Sequence, residues 1–208
     1  MNPSLVREEI CRVGRSLFDR GYTHGASGNI SVALDDGGMI VTPTDASLGS
    51  LDPGALSVFD ASGRLIDGAA PTKEMPLHDA VYRTRQSARA IIHLHSTHSV
   101  AVSMLPDIDP ADVFPPLTAY SLMRVGRTAL LPYYRPGDPR VADALRSLDG
   151  AFGAILLANH GPVVADHSLE AACWVIEEME QTARLMLLLR NEKPRLLDAG
   201  EADALRRA

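Results

Sequence analysis

The stretch ARAIIHLHS, residues 88–96, decides how this chain is expected to fold. Its isoleucines and alternating apolar positions predict a strand. Because successive side chains of a strand point to opposite faces, His93 and His95 are expected on one face and Leu94 on the other. Two imidazoles on one face lie within reach of a single ion. A zinc site begun in this way needs at least one further protein ligand.

A third histidine closes another apolar stretch of the chain. In GAILLANHG, residues 153–161, His160 follows a run typical of a buried strand. If the two strand ends meet at one edge of a sheet, three imidazoles surround one ion and leave a coordination position for substrate, as a catalytic metal requires. The alternative interpretation is that these are ordinary histidines at strand ends.

The other four histidines carry weaker patterns. His98 lies three residues beyond His95 and is interpreted as a surface residue or as a neighbour of the site rather than a ligand. His78 follows Glu74 by four residues on a predicted helix, so it either faces the same site or belongs to the core or surface. His24 and His167 show no pattern and are interpreted as loop histidines.

Outside these histidines, the chain alternates short strands with helices. Helical spacing of apolar residues predicts helices at both ends of the chain, and Asp/Gly turns between short apolar runs predict two hairpins. The hairpins argue against a purely parallel sheet. Helices are predicted over residues 3–20, 74–85, 139–148 and 168–190, with a short helix around 100–105. The hairpins cover 25–44 and 56–68, and a further strand is expected over 128–134. The charged stretch 191–208 is expected to be a loosely packed tail.

The composition of the chain argues against several classes of function. The chain has 208 residues with a net charge of −6, a mildly acidic balance that disfavours nucleic acid as a partner. The N-terminal stretch is polar, and the longest apolar run is far shorter than the roughly 20 residues of a membrane span. Its two cysteines do not make a disulfide framework. We therefore expect one cytoplasmic domain over residues 1–208 with no membrane or nucleic-acid partner.

Three polar segments offer donors suited to a small anion. They are the stretch ending at Asn29, the Thr42–Thr44 turn and the Pro71–Glu74 segment that opens a helix. Hydroxyls, an amide, an ammonium group and helix N-terminal N–H groups together make a suitable cradle for phosphate. Ordinary turn and capping chemistry explains each segment equally well. Glu74 is either a helix-dipole residue or, beside a cation, a group that moves a proton on a carbon acid.

In this order and spacing, these segments resemble the class II aldolase/adducin family. The resemblance rests on GNIS (28–31), TPT (42–44), PTKE (71–74), HLH (93–95) and ANHG (158–161), and covers roughly residues 6–190. It implies an α/β fold, a three-layer α/β/α arrangement with a central, mostly antiparallel sheet. It also implies one divalent ion per subunit, usually Zn²⁺, and a homotetramer.

The resemblance also assigns roles to residues. The metal ligands fall on His93, His95 and His160, and the catalytic carboxylate falls on Glu74, which can also contact the metal. The substrate-binding positions fall on the following residues: Asn29, Thr44, Thr72, Lys73 and Tyr120. Asp45 is a departure, because a glycine commonly follows Thr-Pro-Thr in this family.

Longer strings point to one activity within the family. TPTDASLGSLDP (42–53), HLHSTHSVAVS (93–103) and LLPYYRPGD (130–138) resemble members that decarboxylate 3-oxo-tetronate 4-phosphate. The expected reaction yields dihydroxyacetone phosphate and CO₂ through a metal-stabilised enediolate. Lys73 suits a substrate that carries a carboxylate as well as a phosphate. The alternative is a sugar-phosphate aldolase of the fuculose or rhamnulose phosphate type, or an epimerase, working with the same site.

Overall fold

One eight-stranded sheet organises the fold. The computed structural model describes residues 2–148 and 152–206; residues 1, 149–151, 207 and 208, which the expected domain includes, lie outside the described part. The strands are β1 (Asn29–Ala33), β2 (Met39–Val41), β3 (Ser57–Phe59), β4 (Leu65–Asp67), β5 (Ala90–His93), β6 (Thr128–Leu131), β7 (Ala154–Leu157) and β8 (Gly161–Asp166). Their order across the sheet is β4-β3-β2-β1-β5-β8-β7-β6. All neighbours pair antiparallel except β6 and β7, so the sheet is mostly antiparallel, as expected.

Helices cover both faces of this sheet. They are α1 (Pro3–Asp19), α2 (Met75–Thr84), α3 (Thr97–Ser103), α4 (Arg140–Arg146), α5 (Leu169–Leu188) and α6 (Ala199–Arg206), with short 3₁₀ turns at Leu48–Ser50 and Pro53–Ala55 and a π-helical turn at Ser121–Val125. Within the described residues, none of these helices has the combination of length and apolar character that a membrane crossing needs.

The core is divided into two clusters by the sheet. On one face Ile92 and Leu94 pack with apolar residues of α1 and α5. On the other face Ile91 packs with Leu77 of α2 and Leu145 of α4. β5 is therefore buried on both sides, which is why its sequence is almost continuously apolar. This alternation produces the three layers expected from the sequence and turns His93 toward the α2 face.

Local sequence signals explain the helix boundaries. The Asn2 side chain accepts a hydrogen bond from Ser4 N–H at the start of α1, and Gly21 just beyond its end has a φ of 77°. Asparagine caps and left-handed glycines commonly begin and end helices. The Ser168 hydroxyl caps α5 in the same way by accepting from Ala171 N–H.

The structure adds two elements that the sequence interpretation did not contain. β8 continues the chain directly after His160, where the sequence predicted that the strand would end. The stretch expected to be a loose tail forms α6, with Ala202 buried and Arg206 paired to Asp112 at 2.8 Å. α6 packs against the π-helical turn, so the second half of the described tail has a fixed place in the fold.

Candidate metal centre

β5 and the β7–β8 connection bring the three predicted histidines together. β5 ends at His93, so His95 lies two residues beyond the strand in backbone that keeps its alternation. His160 precedes β8, which pairs with β5 in the sheet. Gly161 is required here, because a Cβ would lie 2.1 Å from the Leu94 carbonyl oxygen. This close approach places His160 beside the His93–His95 segment.

The three rings surround one point. Their centroids are 5.1 Å apart for His93 and His95, and 4.7 Å apart for each pair that includes His160. His93 Nδ1 lies 2.8 Å from the Pro162 carbonyl oxygen, which can only accept, so Nδ1 carries a proton and Nε2 is the nitrogen that faces the cluster. His93 Nε2 and His160 Nε2 are 3.3 Å apart. Two nitrogens this close need a proton or a cation between them.

Glu74 completes the cluster from the N-terminus of α2. Its Oε2 lies 3.2 Å from His93 Nε2, and its Oε1 lies 3.5 Å from His160 Nε2. The Asn29 amide nitrogen donates to Oε2 at 2.8 Å. One ligand atom from each of the three histidines and Glu74 lies within 4.8 Å of every other. The four side chains can therefore hold one metal ion.

Burial and mutual contacts set the charges of these groups. Burial alone would raise the pKa of Glu74, but the adjacent His93 and His160 rings and the Asn29 amide outweigh it and hold the pKa well below its usual range. Burial, aided by the neighbouring rings, lowers the pKa of His95 to about 3 and that of His160 to about 4. Burial also opposes a charge on His93, yet the Glu74 carboxylate prevails and raises its pKa.

An unpartnered nitrogen supports a metal at this place. His95 Nε2 is buried, and no hydrogen-bond partner for it exists among the described residues. Leaving such an atom unpaired costs about 1–3 kcal/mol, which coordination to a cation would remove. Three imidazoles and one carboxylate are a donor set typical of zinc and of other divalent transition metals. The residues present therefore fit a divalent metal.

Two of the predicted phosphate-binding residues lie on paired extended segments next to Glu74. Thr44 N–H donates to the Ala70 carbonyl at 3.0 Å, and Thr72 N–H donates to the Thr42 carbonyl at 3.2 Å. The buried Thr72 hydroxyl oxygen accepts from Glu74 N–H at 3.3 Å, so its own proton is available to another acceptor. The structure thus brings the threonine segments and the catalytic candidate into one region.

Lys73 and Asp45 form an exposed pair at the rim of this region. Lys73 Nζ lies 3.6 Å from Asp45 Oδ1, with 69% and 80% of the respective side chains exposed. Asp45 has a φ of 57°, the left-handed conformation that glycine adopts without strain. This explains why glycine is common at the position, and aspartate is among the residues that tolerate it. The Asp45 charge is directed at Lys73.

The opposite side of Glu74 is bordered by the stretch 134–138. Tyr134 and Arg135 line a small recess together with Glu74 and His160. Gly137 has a φ of 82°, and a Cβ there would lie 2.9 Å from the Lys73 carbonyl oxygen. Glycine therefore allows this turn to pack against the segment that carries the catalytic candidate.

Tyr120 makes no hydrogen bond to the cluster in the described part of the chain. It is 61% exposed and precedes the π-helical turn that packs against α5 and α6. Across residues 2–148 and 152–206, no hydrogen bond joins it to the histidines or to Glu74. Its predicted contact with substrate stays a prediction.

Two buried side chains near the site, His78 and Glu180, make hydrogen bonds that the sequence did not indicate. His78 is fully buried, with Nε2 2.5 Å from Asn29 Oδ1. Its four-residue spacing from Glu74 was the available signal, because that spacing places both on one helix face. Glu180 of α5 accepts from the backbone N–H groups of His98 and Ser99 at the start of α3. No local pattern links residues so far apart in the sequence.

Known proteins resemble this chain over nearly its whole length. It is 46% identical to 3-oxo-tetronate 4-phosphate decarboxylase of Escherichia coli K12, covering 97% of this chain and 95% of the relative. It is 32% identical to L-fuculose phosphate aldolase of Methanocaldococcus jannaschii, covering 88% and 97%. The crystal structure of YgbL from Escherichia coli superposes with a TM-score of 0.95 at 44% identity, covering 99% and 100%.

A family match agrees with these similarities. Residues 8–187 match the family described as Class II Aldolase and Adducin N-terminal domain. The match includes all three histidines of the cluster, Glu74 and Asn29. This chain therefore belongs to the class II aldolase and adducin N-terminal domain family.

Proposed function

We propose that this chain is a metal-dependent carboxy-lyase that converts 3-oxo-tetronate 4-phosphate to dihydroxyacetone phosphate and CO₂. The observation that carries the proposal is the convergence of three histidine nitrogens and the Glu74 carboxylate around one point. The substrate is taken from relatives named for this decarboxylation, which are 45–46% identical over at least 90% of this chain. The named aldolases match less closely, at 32% or less among the relatives compared.

The proposed cofactor is one Zn²⁺ per subunit, held by His93, His95 and His160, with Glu74 as a fourth ligand before substrate binds. The unpartnered nitrogen of His95 supports this assignment. When bound, the ion supplies Lewis-acid stabilisation of negative charge that develops on the substrate oxygens. The His93 Nδ1–H bond to the Pro162 carbonyl would hold that ring with its Nε2 toward the ion.

The proposed role of Glu74 is proton delivery. Loss of CO₂ breaks the C1–C2 bond of the substrate, and the bonding electrons pass to C2 and the neighbouring C3 carbonyl. Glu74, which is ionised at rest, first takes a proton from solvent and then gives it to C2, which completes the hydroxymethyl group of dihydroxyacetone phosphate and leaves Glu74 ionised again. Asn29 would hold the carboxyl group in place through the 2.8 Å bond to Oε2. A general acid must lie within hydrogen-bond reach of the atom that receives its proton.

The proposed anion contacts are the hydroxyls of Thr44 and Thr72, the Asn29 amide and the Lys73 ammonium group. The buried Thr72 hydroxyl has a proton to donate, and Asn29 has a second amide N–H beyond the one bound to Glu74. Lys73 supplies positive charge either to the phosphate or to the leaving carboxylate. Its ion pair with Asp45 is exposed and weak, so an anionic substrate can replace it.

A homotetramer and a cytoplasmic location complete the proposal. Large apolar side chains are exposed near the π-helical turn, among them Tyr120, Met123 and Trp174. Exposed apolar patches of this kind are typical of surfaces between subunits, and Tyr120 would contact substrate there. The phosphorylated substrate and the free thiols of Cys11 and Cys173 support an intracellular, reducing compartment.

A product assay tests the proposed reaction. Zinc-loaded protein is incubated with 3-oxo-tetronate 4-phosphate of both stereochemical series, and CO₂ and dihydroxyacetone phosphate are measured, with His160→Ala as the inactive control. We expect both products in equal amounts from at least one series. Cleavage of fuculose 1-phosphate without release of CO₂ from either tetronate would replace the proposal with the aldolase alternative.

A further inference from the structure

A buried chain of polar side chains leads away from Glu74 into the protein. Asn29 contacts Glu74 Oε2 through its amide nitrogen at 2.8 Å and His78 Nε2 through its amide oxygen at 2.5 Å. His78 Nδ1 lies 2.7 Å from the Ser31 hydroxyl, which lies 3.0 Å from the Tyr82 hydroxyl. His78 and Ser31 are completely buried. Such groups in an apolar layer are costly unless each one is hydrogen-bonded.

The direction of every bond in this chain follows from its ends. An ionised Glu74 can only accept, so Asn29 must turn its NH₂ toward Glu74 and its oxygen toward His78. That oxygen also only accepts, so His78 must carry a proton on Nε2. His78 is completely buried between the Asn29 amide and the Ser31 hydroxyl, with no carboxylate bonded to its ring among the described residues, so the ring is neutral and Nδ1 must accept.

The remaining two bonds complete the series. Because His78 Nδ1 accepts, Ser31 must donate its hydroxyl proton to it. The Ser31 oxygen then accepts from the Tyr82 hydroxyl. All donors therefore point the same way, from Tyr82 toward Glu74, and hydrogen bonds aligned in this way strengthen one another.

We propose that His78 is a positioning residue, which orients the Asn29 carboxamide so that Asn29 holds the Glu74 carboxyl group for proton transfer. This inference rests on the proposed role of Glu74. Without the His78 donor, the Asn29 oxygen has no other side-chain partner in the described part of the chain, and the amide is free to rotate and present that oxygen to Glu74. An oxygen facing a carboxylate repels it and would turn Glu74 away from its place beside His93.

Two substitutions of His78 separate positioning from simple packing. His78→Gln keeps an amide N–H close to the position of Nε2, whereas His78→Leu removes the donor and retains apolar volume. We expect His78→Leu to lower kcat by about 10- to 100-fold, the usual effect of losing a group that orients a metal-site residue. Zinc content should change much less, because the three metal-binding histidines remain. KM should rise as well, because rotation of the Asn29 amide also removes its proposed contact with the substrate anion. His78→Gln should recover most of kcat.

His167→Leu is the matched control, since His167 is exposed and contacts the neighbouring Asp166. It should leave kcat and zinc content unchanged. Equal kcat for wild type and a folded, zinc-loaded His78→Leu enzyme would overturn the inference. So would failure of a folded His78→Gln to exceed His78→Leu.

The tautomer of His78 gives a test that does not depend on activity. In ¹⁵N NMR of histidine-labelled wild-type protein, with His78 assigned by comparison with His78→Gln, Nε2 should be protonated and Nδ1 unprotonated. A proton on Nδ1 would overturn the inference. If the wild-type enzyme releases no CO₂ from either tetronate, the proposed function fails, while the tautomer still decides whether His78 donates to Asn29.

Discussion

Replacing Glu74 with glutamine tests the chemistry of the site with little change in shape. The glutamine oxygen can keep the 2.8 Å bond from Asn29, while its amide group occupies the place of Oε1, 3.5 Å from His160 Nε2. Glutamine cannot deliver a proton to carbon. General acid–base catalysis contributes about 10²- to 10⁴-fold, which corresponds to roughly 2.7–5.4 kcal/mol of activation free energy at about 1.36 kcal/mol for each factor of ten.

We therefore expect Glu74→Gln to lose about two to four orders of magnitude in kcat. Most of its zinc should remain, since three imidazole ligands are retained. The measurements are kcat from CO₂ release, zinc per subunit from elemental analysis, and thermal unfolding as a check of folding. Glu8→Gln is the matched control, because Glu8 is exposed on α1.

A clear outcome would refute this reasoning. If Glu74→Gln binds zinc fully and turns over substrate at the wild-type rate, Glu74 is not the proton donor. If it instead loses its zinc completely, the carboxylate is needed for metal binding, and its role in proton transfer must be tested at saturating metal. Comparison with Glu8→Gln separates both results from a general effect of lost negative charge.

Three further predictions concern the metal and the framework that carries it. His95→Ala should bind no zinc after dialysis against the metal, whereas His167→Ala, an exposed histidine, should bind one per subunit; retention of zinc by His95→Ala would remove it from the ligand set. The Glu74 carboxylate raises the pKa of His93 and so favours a protonated ring in the metal-free protein; metal uptake should therefore release a proton, and affinity should fall as the pH is lowered. Calorimetric titration in buffers of different ionisation enthalpy measures this proton, and no buffer dependence would contradict the assignment. Glu180→Ala should lower the free energy of unfolding by about 2–4 kcal/mol, measured by urea denaturation, because it leaves buried donors of Ser99 unpaired; an unchanged midpoint would show that water replaces the carboxylate.

Most helices and hairpins could be predicted because their signals are local. The Asn2 cap and the glycine at position 21 mark the ends of α1, and the helical spacing between them depends only on near neighbours. β8 escaped prediction because Gly161 and Pro162 are residues that usually interrupt strands. In the structure Pro162 pairs with Leu156, and its carbonyl accepts from His93 and from Leu94 N–H. The Pro162 carbonyl therefore joins β8 to the His93–Leu94 segment, although proline has no N–H to donate. No local sequence rule detects these long-range hydrogen bonds.

The candidate site, too, was predicted from the sequence only in part. The His-x-His spacing indicated that His93 and His95 share a side, and they do so although the strand ends at His93. The spacing could not show what His78 contacts, because Asn29 lies 49 residues away in the chain. The family resemblance assigned Tyr120 to the site, but its side chain is exposed and its contact with substrate stays a prediction.

The sequence by itself determined most of the helices and both hairpins, the residue types of the cluster and the family. These depend on spacing between neighbours and on motifs read in order along the chain. Only the tertiary structure decided that His160 stands 3.3 Å from a ring 67 residues earlier, and that His78 supports Asn29. The physical reason is that such distances depend on which strands become neighbours. That choice is made by burial on both faces of the sheet, and no single segment of the chain contains it.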